Sequence, residues 1–170
     1  MEIDLYNSLV IHIKKYMPEI KHIDLWNNQF MRSNGEGEEG RSQQAFQYPC
    51  CFIEINPQNF EDYLGGIQKG YYSIRFHLGI TSMLTKTIKY LEFKEKFYKI
   101  IHRFQHNYWT RLLRRGEIPD YNHDNVNVYI QEYEAMCKDY RVNITDGEEI
   151  LITGLDIIPG ITYSVNINNN

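Results

Sequence analysis

The segment Tyr71–Ser82, YYSIRFHLGITS, constrains the fold more than any other stretch of the chain. Tyr72, Ile74, Phe76, Leu78 and Ile80 make one unbroken apolar row, and Ser73, Arg75, His77, Gly79 and Thr81 make the opposite, more polar one. This period of two predicts a half-buried strand, one face on a core and the other free for solvent or a partner. The period then changes. Phe93, Phe97, Ile100, Ile101, Phe104, Tyr108 and Leu112 recur at three- and four-residue spacing, which predicts a long helix from about Lys86 to Arg115. Gly116 stands where a helix-ending residue belongs, with Pro119 shortly after. Phe97, Ile101, Phe104 and Tyr108 are expected to pack on Tyr72, Ile74, Phe76 and Leu78, because strand and helix must each bury an apolar face.

The remaining elements follow from the same two periods. Tyr6, Leu9, Val10, Ile13 and Met17 line one face of an N-terminal helix over Asp4–Met17, with Asp4 as N-cap and Pro18 as stop. Ile20–Trp26 predicts a short strand. Residues 32–47, RSNGEGEEGRSQQAFQ, supply almost nothing apolar and predict a flexible loop or a long hairpin tip. Cys50–Asn56 predicts a well-covered strand stopped by Pro57, and residues 58–70, with three glycines, predict a turn-rich connection. Asn125–Glu134 predicts a strand with Val126, Val128 and Ile130 on one face and Tyr129, Gln131 and Tyr133 on the other. Arg141–Ile144 and Glu149–Leu155 predict further strands about the Asp146–Gly147 turn, a strand extension over residues 140–167. Helices do not alternate with every strand as βαβ units require. The expected fold is one α+β domain over residues 1–170, a mostly antiparallel sheet against a long helix and a shorter N-terminal helix.

Composition narrows the function. A net charge of −4 argues against a broad, sequence-independent grip on nucleic acid, which needs clustered cations. No segment reaches the roughly 18 consecutive apolar residues of a membrane helix. Three cysteines make no disulfide framework, and adjacent Cys50 and Cys51 point to opposite faces of a strand, unable to act as a redox or zinc pair. His102 and His106, four apart on the predicted helix, could share a metal, but Arg103 stands where HExxH would carry Glu and no further ligands are evident. Asn122, His123 and Asp124, near Asp120, have the polar atoms of a site, but their place between Pro119 and the next strand, where turn-forming Asn and Asp belong, favours a turn. Arg111, Arg114 and Arg115 would complement the dipole at the helix end. No catalytic, cofactor-binding or metal residue is assigned, and the chain reads as a non-enzyme with no cofactor.

The order helix, strand, long polar loop, Tyr-Pro-x-x-Phe-Ile-Glu entry (YPCCFIE, residues 48–54), strand pair, long helix, then late strands with Tyr129, Tyr133 and Asp139 resembles the tail-terminator and tail-completion proteins of tailed bacteriophages, and the related head–tail joining proteins. The resemblance covers roughly residues 1–145. It implies a virion protein, assembled in the host cytoplasm, that forms a six- or twelve-fold homo-oligomeric ring next to portal, connector or tail proteins. DNA would pass through its lumen, and no membrane is involved. Strand edges and long loops would make the subunit contacts, which makes Arg32, Glu36, Glu38, Glu39 and Arg41 the candidate interface residues. The 14 tyrosines suit large protein–protein contacts. Two other readings stay open: a small bacterial ligand-binding or enzyme domain, and a non-viral adaptor or immunity-type module.

Overall fold

The computed structural model describes residues 1–32, 47–64, 67–81, 87–120 and 126–139, and the backbone of 144–145 and 148–149. In chain order the elements are α1 (Glu2–Tyr16), β1 (His22–Leu25), α2 (Gln29–Arg32), β2 (Cys50–Leu64), β3 (Ile67–Thr81), α3 (Thr87–Ile101), β4 (Leu113–Asp120), β5 (Val126–Asp139), β6 (Ile144–Thr145) and β7 (Glu148–Glu149). The main sheet has five strands in the order β1-β2-β3-β5-β4. Only β1 and β2 run parallel; the other pairs are antiparallel. The fold is α+β, with a mostly antiparallel mixed sheet, as expected. Ile144 pairs with Glu149 and Thr145 with Glu148, and the rest of the predicted 140–167 extension lies outside the described residues.

The main core fills one face of the sheet. Leu5, Leu9 and Ile13, spaced by four along α1, bury against Cys51, Ile53, Tyr72, Ile74, Phe76 and Leu78 together with Phe97 and Ile101 of α3. Strand alternation sends Tyr133, Ala135 and Cys137 of β5 into the same core. A smaller cluster of Phe30, Cys50, Phe52 and Val128 occupies the opposite face. The N-cap of α1 is Met1 rather than Asp4; Asp4 lies inside the first turn, its carboxylate 3.3 Å from the terminal amine.

The long helix is not present. α3 ends at Ile101, with no more residues than α1, because Arg103 turns left-handed at φ 68° and the backbone N–H of Phe104 bonds the Ile101 carbonyl at 2.9 Å. Residues 102–112 fold back instead. Arg103 N–H donates to the Leu112 carbonyl and Leu112 N–H to that of Phe104, both at 2.8 Å. Thr110 N–H bonds the Met136 carbonyl, Met136 N–H bonds the Thr110 hydroxyl, and Trp109 bridges to Cys137, so the loop is stitched onto β5. Its Trp109 and Leu112 are buried, Phe104 is half-buried and Tyr108 is exposed. The apolar spacing therefore continued past the helix because a folded-back loop buries residues too. Gly116, Arg114 and Arg115 accordingly sit in β4, and the arginines do not cap a helix.

Pro57 does not stop β2, and residues 58–64 with 67–70 are strand rather than connection. β1 pairs only with residues 50–53, so beyond Ile53 the outer side of β2 is an edge and the missing proline N–H interrupts no ladder there. Gln58 pairs with Tyr71 and Glu61 with Lys69, leaving one extra residue on β2 where Asn59 has φ 43°; a second irregularity lies between Asp62 and Leu64.

Candidate functional site

Strand alternation places Glu54 and Asn56 of β2, Ser73, Arg75 and His77 of β3, and Glu132 of β5 on the face away from α1 and α3. Arg75 is the register partner of both Glu54 and Glu132. Its guanidinium is held between the two carboxylates, Nη2 3.3 Å from Glu132 Oε1 and Nη1 3.9 Å from Glu54 Oε2. The Ser73 hydroxyl donates to Glu132 Oε1 at 2.8 Å, and Asn56 Nδ2 donates to Glu54 Oε1 at 2.9 Å. His77 Nε2 donates to Glu54 Oε2 at 3.0 Å.

This face is not the open polar surface expected of β3. Ser73 and His77 are each only 5% exposed. Trp26, anchored by its backbone N–H on the Ile53 carbonyl at 2.9 Å, stacks flat on the His77 ring with centroids 3.9 Å apart and planes 7° apart. Phe30 of α2 sits over Gly79, where an added Cβ would come within 2.6 Å of its ring and 2.7 Å of Cys50 Sγ. Glycine is required at position 79 for this close approach, not for its backbone angles.

Environment sets the protonation states. Burial pushes the Glu54 carboxyl up, but the bonds from Asn56 and His77 and the nearby His77 and Arg75 charges outweigh it, leaving the group below the usual carboxylate range. Burial lowers His77; the Glu54 bond and charge push it back up, Arg75 lowers it, Asp120 raises it, and the net direction is down. His77 Nδ1 is buried and has no hydrogen-bond partner among the described residues. A carboxylate-held imidazole could serve as a general base, but that nitrogen is closed to solvent here and offers no access to a substrate. A separate cavity of ≈170 Å³ lies at the β4–β5 end, lined by Tyr90, Pro119, Asp120, Asn127 and Tyr129 among others.

The residues singled out from sequence fall elsewhere. Arg32 ends α2; Glu36, Glu38, Glu39 and Arg41 lie outside the described residues, as do Asn122, His123 and Asp124. His102 and His106 are not paired on a helix. His102 Nδ1 accepts from the Arg114 backbone N–H at 3.5 Å, whereas His106 Nε2 lies 3.2 Å from both Ser8 Oγ and Asn107 Nδ2. Cys50 and Cys51 do face opposite ways, into the two separate clusters. Burial pushes the Cys50 thiol up to about 12 and raises Cys51 well above its ordinary value, so neither presents a thiolate. Arg114 packs over the Tyr98 ring at 4.1 Å and pairs with Glu117 at 2.9 Å, and Arg115 holds Glu134 through two bonds of 3.0 Å. Among the described residues no group of three His, Cys, Asp or Glu side chains is placed to hold a metal, and no helix is long and apolar enough to cross a membrane.

The Glu54–Arg75–Glu132 strip is not legible from a chain whose residues 58–70 read as a turn-rich connection, because its members meet only through strand register. Reading residues 58–64 and 67–70 as strand would have revealed the pairing. The two extra residues on β2, one at each irregularity, shift the register by two in all, which keeps the faces of residues 50–58; a shift of one would have turned Glu54 into the core.

No protein-family model matches this chain, and no curated protein matches it.

Proposed function

We propose that this chain is a non-enzymatic structural subunit of a tailed-bacteriophage virion, a tail-terminator-like protein that assembles into a ring. The observation that carries this reading is the pair of unpartnered strand edges at opposite sides of one sheet. Among the described residues, β2 beyond Ile53 and the outer side of β4 have no neighbouring strand. A strand edge left open is a template for another chain unless it is protected. These two edges are unlike: Glu61 and Asp62 are exposed on one, whereas on the other Arg114 and Arg115 are paired with Glu117 and Glu134, and Phe60, Leu113 and Ile118 stand exposed along them. Two unlike edges suit a head-to-tail contact, which closes into a ring when the rotation allows. The net charge of −4 suits a lumen through which DNA slides without being gripped.

Mass measurement of the purified full chain in solution, followed by negative-stain imaging, tests this. Six or twelve copies of a 20.4 kDa chain in annular particles are the expected result. A monomer that persists at high protein concentration, alone and with tail-tube or connector extract added, would overturn it.

A further inference from the structure

We propose that His77 is a proton-operated latch: uncharged, it holds the Trp26–Phe30 corner against the second face of the sheet, and its protonation releases that corner. The corner packs on the sheet through its two aromatic rings, which meet Phe52 of β2 at 6.1 and 5.2 Å between centroids. Trp26 lies flat on the His77 ring, and Phe30 fills the space left by Gly79 beside Cys50. Its backbone is tied to the sheet by the Trp26 backbone N–H on the Ile53 carbonyl. Gln29 ties back only locally, through Nε2 to the Leu25 carbonyl and Oε1 to the Asn27 N–H, both at 2.6 Å. Among the described residues, aromatic contact with β2 and β3 therefore carries most of the attachment, and one of the rings it rests on, His77, is titratable.

The geometry favours the neutral ring. With Nε2–H on Glu54, Nδ1 holds a lone pair in a site closed to solvent; a second proton would create a buried donor with no acceptor among the described residues. The charged ring would also be desolvated between an indole and the sheet, a cost that its attraction to the indole face offsets only in part. The groups facing it do not fully compensate. Glu54 attracts the proton from β2, but that carboxylate is already shared with Asn56 and Arg75, and Arg75 itself repels it from β3. Asp120 of β4 attracts it from further away, and the register partner from β5 is Ile130, which is apolar. An imidazolium that swings out to reach water has to displace the indole stacked on it. Release would bare Phe52, Cys50 and Gly79.

The chain has two tryptophans, so Trp109→Phe makes Trp26 the sole indole. Acrylamide quenching of Trp26 is then followed from about pH 7.5 to about pH 5, with far-UV circular dichroism in parallel. The expected result is a rise of about twofold or more in quenching, through one transition below the ordinary histidine value, at constant dichroism. His77→Gln, which keeps an N–H for Glu54 and does not titrate, should leave quenching flat. Should Trp109→Phe fail to fold, the same quantity is read as the difference between the natural chain and Trp26→Phe. Flat quenching in the natural sequence, an unchanged transition in His77→Gln, or loss of dichroism together with the quenching change would each overturn the latch.

Discussion

Replacing Phe97 by alanine should cost about 3–5 kcal/mol of stability, the range for truncating a fully buried aromatic. The Phe97 ring is wholly buried in α3 and meets Phe76 of β3 at 5.2 Å between centroids, tilted 64°, and Phe76 in turn meets Tyr133 of β5 at 5.5 Å and 86°. Truncation loses the transfer energy of the ring and leaves a void between helix and sheet that close-packed neighbours can only partly fill. Part of the loss, about 0.5–1.5 kcal/mol, belongs to the aromatic pairing, so a double-mutant cycle with Phe76→Leu should show coupling of that size. Phe104→Ala is the matched comparison. Phe104 lies beyond the helix, half-buried against His12 at 4.7 Å, and should cost roughly half as much or less. Equilibrium urea unfolding, followed by far-UV circular dichroism and tryptophan fluorescence, measures both against a typical total of about 5–15 kcal/mol. A Phe97→Ala cost under about 1 kcal/mol, or a Phe104→Ala cost equal to it, would refute the placement of α3 and restore a helix running through residue 104.

Gly79→Ala should destabilise by about 1–3 kcal/mol in the same assay, since the new methyl collides with the Phe30 ring and Cys50 Sγ, and Phe30→Ala should relieve that cost; additive losses would refute the contact. Arg103→Gly should raise the unfolding midpoint, worth up to about 1 kcal/mol, because an exposed arginine holds a left-handed angle that glycine adopts without strain. Stability should fall on acidification in two windows. His77 is lowered in the fold, so its contribution is complete above 6.5 and declines as pH drops from there through its folded value. Glu54 and Glu19 are also lowered, so their contributions hold above 4.5 and are lost as pH falls through their folded values. His77→Gln should flatten the first window and leave the second, as read by urea midpoints across pH.

Local chemistry along the chain determined much of this architecture. The spacing of Leu5, Leu9 and Ile13 specifies an amphipathic helix, and the alternation from Tyr72 to Ile80 specifies a strand, because these periods place side chains on a common face whatever lies opposite. The same alternation separated Cys50 from Cys51 and sorted Tyr133 from Val128 onto different faces. Pairing and termination depended on partners distant in sequence. α3 stops at Ile101 because Arg103 and Phe104 bond Leu112 and the loop beyond finds β5, so Trp109 and Leu112 are buried by tertiary contact while still fitting a helical repeat. Pro57 is accommodated because β1 is too short to pair beyond Ile53. Glu54, Arg75, His77 and Glu132 become one network only through the register of three strands, and His77 is buried only because Trp26, some fifty positions earlier, closes over it. Side-chain periodicity is a property of neighbouring residues; register, burial and charge pairing belong to the assembled sheet, where they are decided by which edges meet.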